Sequence, residues 1–250
     1  MHPPRRYRLF TYKGARYRIA SSHDGLIVEE LKRLRAQLEL YIETDPAFAR
    51  ALEPVAVKPH APEAARVMAA AARAAGVGPM AAVAGAFAEL AARAALAAGA
   101  REAIVENGGD IFLMSPEEVV VGVYARGNPL SRRLAFRVRP AAMPLALCSS
   151  SGTMGHSLSL GKCDLALVAA HGAALADAAA TRAGNLVQSK ADVDRALRAV
   201  EKIKGVAGAF ILMEDVVGLT GELPEIIKHT DEGLLDKIPA DKCWEGLISC

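Results

Sequence analysis

Apolar and polar positions alternate from the start of the chain. The run YRLFTYKGARYRIAS, residues 7–21, has a period of two on each side of Lys13-Gly14, which predicts a β-hairpin with its turn at that dipeptide. Arg6, Arg8, Arg16 and Arg18 take polar positions in it and predict a solvated sheet face. The period then changes. Leu26, Leu31, Leu34, Leu38 and Tyr41 recur near helical spacing, and the helix they predict should stop near Thr44-Asp45-Pro46. Alanine-rich helices are predicted over 62–75 and 79–98, separated by Gly-Val-Gly. Six short apolar runs follow, EAIVEN, DIFLM, EVVVGVYA, RLAFRVRP, PLALCSS and DLALVAA, each with the length and flanking turn residues of a strand. Helices return over 174–188 and 191–202. AFILMED and LPEIIKH predict the closing strands, and the tail from Thr230 is weakly patterned. Strand groups and helix groups are segregated, so the expected fold class is α+β: mostly antiparallel sheets flanked by Ala-rich helices, with residues 1–250 forming one unit around a pseudo-divided core.

Composition narrows the function classes. With 52% hydrophobic residues and a net charge of +2, the chain is neither a disordered segment nor a strongly basic nucleic-acid binder. The longest uncharged stretch, between Arg73 and Glu89, is broken by Pro79, so no membrane span is expected. MHPPRRYRLF has no apolar segment behind its basic residues and no lipid-attachment cysteine, and the expected compartment is the cytoplasm. The four cysteines contain no CxxC pair, which removes zinc-ribbon and thioredoxin-like readings.

Three segments combine glycine with polar side chains at the ends of apolar runs. In VENGGDIF, Gly108 and Gly109 allow close backbone approach to a ligand, with Asn107 and Asp110 on either side; a tight turn explains the same residues. In CSSSGTMGHSLSLGKCD, Ser151, Gly152, Thr153 and His156 follow a strand and offer hydroxyls and unhindered N–H groups, the materials of an anion site. It is not a P-loop: five residues separate Gly155 from Gly161, and Cys163 stands where Ser or Thr belongs. In LADAAATRAGN, Asp177 and Thr181 lie one helical turn apart on one face. A capping aspartate and a back-bonded threonine are the plain reading. The sharper one is a hard-cation site, a carboxylate and a hydroxyl for a Mg²⁺ ion completed by phosphates and water.

The order ENGGD, SSSGT, GHS, a strand and then ADAAAT resembles the ApbE family, the FAD:protein FMN transferases, over roughly residues 76–185. The resemblance implies an ApbE-like fold and FAD as ligand. It implies Mg²⁺ on Asp177 and Thr181, with Gly108, Gly109, Ser151, Gly152 and Thr153 around the flavin dinucleotide and His156 near a phosphate or flavin edge. It also implies transfer of FMN to a threonine of an acceptor protein, chemistry that rests on charge neutralisation at the pyrophosphate more than on a nucleophile of the enzyme's own. The Asp-Pro-x-Thr-Gly that follows the family's histidine is replaced here by HSLSLGKCD.

Cys148 supports a different reading. It ends a strand just before the Ser-Gly loop, whose N–H groups would lower a thiol pKa. Short ApbE-like proteins are linked in anaerobes to sulfur delivery for cysteine and homocysteine synthesis, and a persulfide on Cys148 would suit that role. A packed, inert cysteine is the plain reading of the same position. A non-catalytic ligand-binding protein on the same fold is the third.

Overall fold

In a computed structural model, which describes residues 5–125, 127–130, 133–151 and 161–228, the hairpin forms where the alternation places it. β1 (Arg8–Tyr12) and β2 (Ala15–Ser21) pair antiparallel, and Lys13 and Gly14 both adopt the positive φ of a two-residue turn matched to strand twist. The helical spacing gives α1 (Asp24–Thr44), followed by a short α2 (Pro46–Arg50) that begins at the proline. The first Ala-rich helix is α3 (Glu63–Ala75). The second divides into a 3₁₀ turn over Pro79–Ala82 and α4 (Val83–Ala97).

All six short apolar runs are strands: β3 (Ala103–Asn107), β4 (Asp110–Met114), β5 (Val119–Gly122), β6 (Leu134–Val138), β7 (Leu145–Ser150) and β8 (Leu165–Ala170). Then come α5 (Ala173–Leu186), a 3₁₀ turn closed by a Ser189–Asp192 capping box, and α6 (Val193–Glu201). The chain ends, within the described residues, on β9 (Val206–Met213), β10 (Val216–Gly221) and β11 (Glu225–Lys228). β10 was not predicted, because Gly218 and Gly221 interrupt its apolar alternation. The chain reverses into it at Glu214, which takes a positive φ.

Eight strands form one antiparallel sheet in the order β1-β2-β3-β4-β7-β8-β9-β10, and β11-β6-β5 form a second. The α+β expectation holds. Strand alternation sends side chains to two different cores. On one face Val105, Phe112, Ala146, Cys148, Ala166 and Val168 pack with the helices. On the other, Ile104, Leu113, Leu147, Leu165, Phe210 and Leu212 pack with Val119, Phe136 and Val138 of the small sheet.

The helix side is built from alanine. Ala86, Ala88, Ala91, Ala92 and Ala95 of α4, and Ala176, Ala178, Ala179, Ala180 and Ala183 of α5, are fully buried, so the two backbones run close together. By length and composition alone Pro79–Ala97 is apolar enough to cross a membrane, a test that a buried core helix also passes. Here it is a core helix packed against α1, α5, β3 and β4, with Glu89 and Arg93 paired on it.

Candidate functional site

Each of the two alanine helices carries one carboxylate into their contact. Asp177 of α5 accepts the Gly85 N–H on its Oδ2 at 2.9 Å. Glu89 of α4 accepts the Ala173 N–H on its Oε2 at 2.6 Å, with the Ala174 N–H at 3.4 Å. Gly85 lies in the first turn of α4 and Ala173 opens α5, so each helix caps the other's N-terminal turn with a charged acceptor. Glycine is required at 85: a Cβ there would lie 2.2 Å from the Ala173 carbonyl oxygen and 2.9 Å from the Asp177 Cβ. The plain reading of Asp177 as a capping aspartate thus holds in altered form, since it caps its neighbour and not its own helix. Glu89 was missed from the sequence, although it is the single acid in the stretch 79–98, the same signal that marks Asp177 in its own helix.

The β3–β4 turn joins this contact. Gly108 and Gly109 both take positive φ, +62° and +100°. The buried Asn107 donates from Nδ2 to the Ala84 carbonyl at 3.3 Å, one residue from the amide that Asp177 holds. The buried Asp110 accepts the Ser149 N–H on Oδ1 at 3.0 Å, and the Ser149 hydroxyl faces the Gly109 carbonyl at 3.4 Å. The end of β3, the start of β4, the end of β7 and the first turn of α4 are therefore tied together by side chains from Asn107, Asp110, Ser149 and Asp177.

Cys148 lies at the centre of this group and corrects one expectation. Its thiol is wholly buried and points at the Ala173 carbonyl, 3.4 Å away. Burial pushes its pKa well up, and the carboxylates of Asp110, Asp177 and Glu89 push in the same direction. The depressed pKa expected beside loop N–H groups is not what the fold produces. Ser150 and Ser151 are also buried, and the Ser150 hydroxyl has no hydrogen-bond partner. Thr181 is half-buried, one turn beyond Asp177. Gly152, Thr153 and His156 lie outside the described residues.

Asp177 and Thr181 are a carboxylate and a hydroxyl one helical turn apart, oxygen donors of the type a hard cation takes. Among the described residues no three of His, Cys, Asp and Glu come together as a metal cage. A carboxylate and a hydroxyl one turn apart suit Mg²⁺, which keeps waters and takes further oxygens from phosphates. A separate open depression of about 660 Å³ is lined by Asn128, Asp164, Lys190, Glu214 and Asp215 among others. Its polar groups are engaged with one another: Asp164 accepts from Asn128 Nδ2 and the Glu214 N–H, and Lys190 pairs with Glu214 and Asp215.

A family model described as AbpE bacteria matches residues 19–215. The UPF0280 protein of Methanocella arvoryzae is 40% identical over 233 residues, which cover 89% of this chain and 95% of that one. The UPF0280 protein of Methanopyrus kandleri is 44% identical over 203 residues, 79% of this chain and 81% of that one. Among solved structures, the apo flavinyl transferase ApbE of Pseudomonas stutzeri matches with a TM-score of 0.58 at 13% identity, covering 94% of this chain and 98% of that one. The ApbE protein of Thermotoga maritima matches at 0.55 and 14%, covering 92% and 98%. At such identities the structural likeness establishes the shared fold.

Proposed function

The chain belongs to the AbpE bacteria family, and from that premise we propose that it binds FAD at the polar cluster between α4, α5 and the sheet and transfers FMN to a threonine of an acceptor protein in the cytoplasm. One observation carries the reading. Among the described residues eight buried side chains are polar or charged, and five of them, Asn107, Asp110, Ser150, Ser151 and Asp177, lie on the three segments that the sequence singled out. Taking carboxylates, an amide and hydroxyls out of water has a desolvation cost that hydrogen bonds such as those of Asn107, Asp110 and Asp177 offset only in part, and the concentration of such groups on these three segments is what supports the reading.

In this reading Asp177 and Thr181 hold Mg²⁺, which when bound neutralises charge at the FAD pyrophosphate. The β3–β4 turn presents backbone at Gly108 and Gly109, where no side chain blocks a ligand. Asp110 and Asn107 hold that turn against β7 and α4. The Gly85 N–H fixes one oxygen of Asp177. The acceptor threonine oxygen forms a bond to the FMN phosphorus as the pyrophosphate P–O bond breaks, AMP leaves with that oxygen, and the threonine gives up its proton. The chain supplies position and charge and needs no nucleophile of its own.

Calorimetric titration with FAD, with and without Mg²⁺, tests the reading on the wild type and on Asp177→Asn. The amide retains an oxygen acceptor for the Gly85 N–H, so the variant should fold while losing about a hundredfold or more in Mg²⁺-dependent FAD affinity. Equal affinity in the two proteins, or FAD binding indifferent to Mg²⁺, would remove the metal from the reading. A wild type that binds no FAD would overturn it.

A further inference from the structure

β7 ends in Ser149 and Ser150, and the second is unlike the first. Ser149 has both its amide and its hydroxyl in contact with the β3–β4 turn. Ser150 is 7% exposed, and its hydroxyl is buried without any hydrogen-bond partner. Among the described residues one other buried side-chain atom, Nε of Arg137, makes no hydrogen bond, but it is ion-paired with Glu118 at 3.3 Å and the rest of that guanidinium meets Glu225.

The direction of the Ser150 side chain follows from the strand. Side chains two apart along β7 share a face. Ala146 and Cys148 face the helices, and the Cys148 thiol touches the first carbonyl of α5. Ser150 therefore points to the same side, the side that carries Asn107, Asp110 and Asp177. Leu145 and Leu147 face the small sheet.

A serine oxygen kept out of water and unbonded is a net loss to the folded chain, on the order of 1–3 kcal/mol. Alanine would fill the same space without that loss. We propose that the Ser150 hydroxyl is a ligand-binding group: it donates to an anionic oxygen of the dinucleotide held in this cluster, and it is left unpaired in the ligand-free protein for that reason. The inference rests on the flavin reading above and gives a role to one serine of the SSSGT motif to which neither the resemblance nor the capping geometry assigned one.

The assignment makes two opposite demands on one substitution. In the ligand-free protein Ser150→Ala removes an unsatisfied hydroxyl, so its melting temperature should equal or exceed that of the wild type. Its affinity for FAD in the presence of Mg²⁺ should fall about tenfold, which is ~1.4 kcal/mol. A purely structural serine moves both readouts differently, since its loss lowers the melting temperature and leaves the affinity of the folded protein alone. Ser150→Cys, close in size and a weak donor, should fold and bind between the two.

FAD affinity unchanged in Ser150→Ala overturns the assignment while the flavin reading stands. A lowered melting temperature, or failure to fold, overturns it as well, because the hydroxyl would then have a structural partner. A wild type that binds no FAD removes both together.

Discussion

The two faces of the large sheet differ in how closely helix backbones approach and in which polar groups are buried there. The face toward the small sheet is packed with large apolar side chains, with Phe136 and Phe210 meeting edge to face at 5.8 Å between ring centroids. The face toward the helices buries large side chains as well, Phe48, Phe87, Phe112 and Met68 among them, but it is packed with alanine where α4 meets α5, and Asn107, Asp110, Ser150 and Asp177 are buried on this side. Large interlocking side chains stabilise both faces. Small side chains on the second let α4 and α5 approach until main-chain groups of one helix reach carboxylates of the other. That closeness is what allows polar atoms to be held at depth with fixed geometry.

The sharpest way to break this comparison is to damage the apolar face. Phe136→Ala removes a fully buried ring and should cost about 3–5 kcal/mol in chemical denaturation. In conditions where the variant remains folded, its FAD affinity should match the wild type. A drop in affinity comparable to that of Asp177→Asn would mean that the two faces are coupled.

A smaller effect is expected on the helix face at Glu89. Glu89→Ala leaves the first amides of α5 without their acceptor and should cost ~1–2 kcal/mol, most of it recovered in Glu89→Gln, which keeps an oxygen there. The Arg93 pair contributes little to that difference, because Arg93 is half exposed. Hydrogen exchange at Ala173 and Ala174 reads the loss directly, and unchanged protection in Glu89→Ala would show that the cap does not hold the helix.

The smallest effect concerns Cys148. Its folded-state pKa is raised, first by burial and then by Asp110 and Asp177. The folded protein keeps the proton where the unfolded chain releases it, so stability is complete below about pH 8.5 and falls as pH rises above that value. Accordingly the thiol should resist iodoacetamide in the native protein at neutral pH and react only on unfolding, as read by peptide mapping. Rapid labelling of native Cys148 would restore the persulfide reading.

Much of the fold was legible because apolar periodicity reports burial on one side. The six short strands, the first hairpin and the alanine helices all followed from it. β10 did not, because its two glycines erase the alternation that a strand must show and only its pairing with β9 supplies the missing constraint. The site was legible in part. Gly108, Gly109, Asp110 and Asp177 stood out as polar or glycine residues in apolar surroundings, and so did Glu89 to a reader who treats every lone acid in an alanine helix alike. Their partners were not legible. Gly85 is 92 residues from Asp177, and Ala173 is 84 from Glu89.

Apart from β10, the sequence by itself determined which segments become helix or strand and which polar residues are placed among alanines, because those depend on neighbours within a few positions. Only the tertiary structure decided what the polar residues do. It turned Asp177 toward another helix, raised the pKa of a thiol that its local sequence would lower, and left the hydroxyl of Ser150 unpaired. Each outcome depends on which distant backbone arrives at the same point, and local spacing carries no record of that.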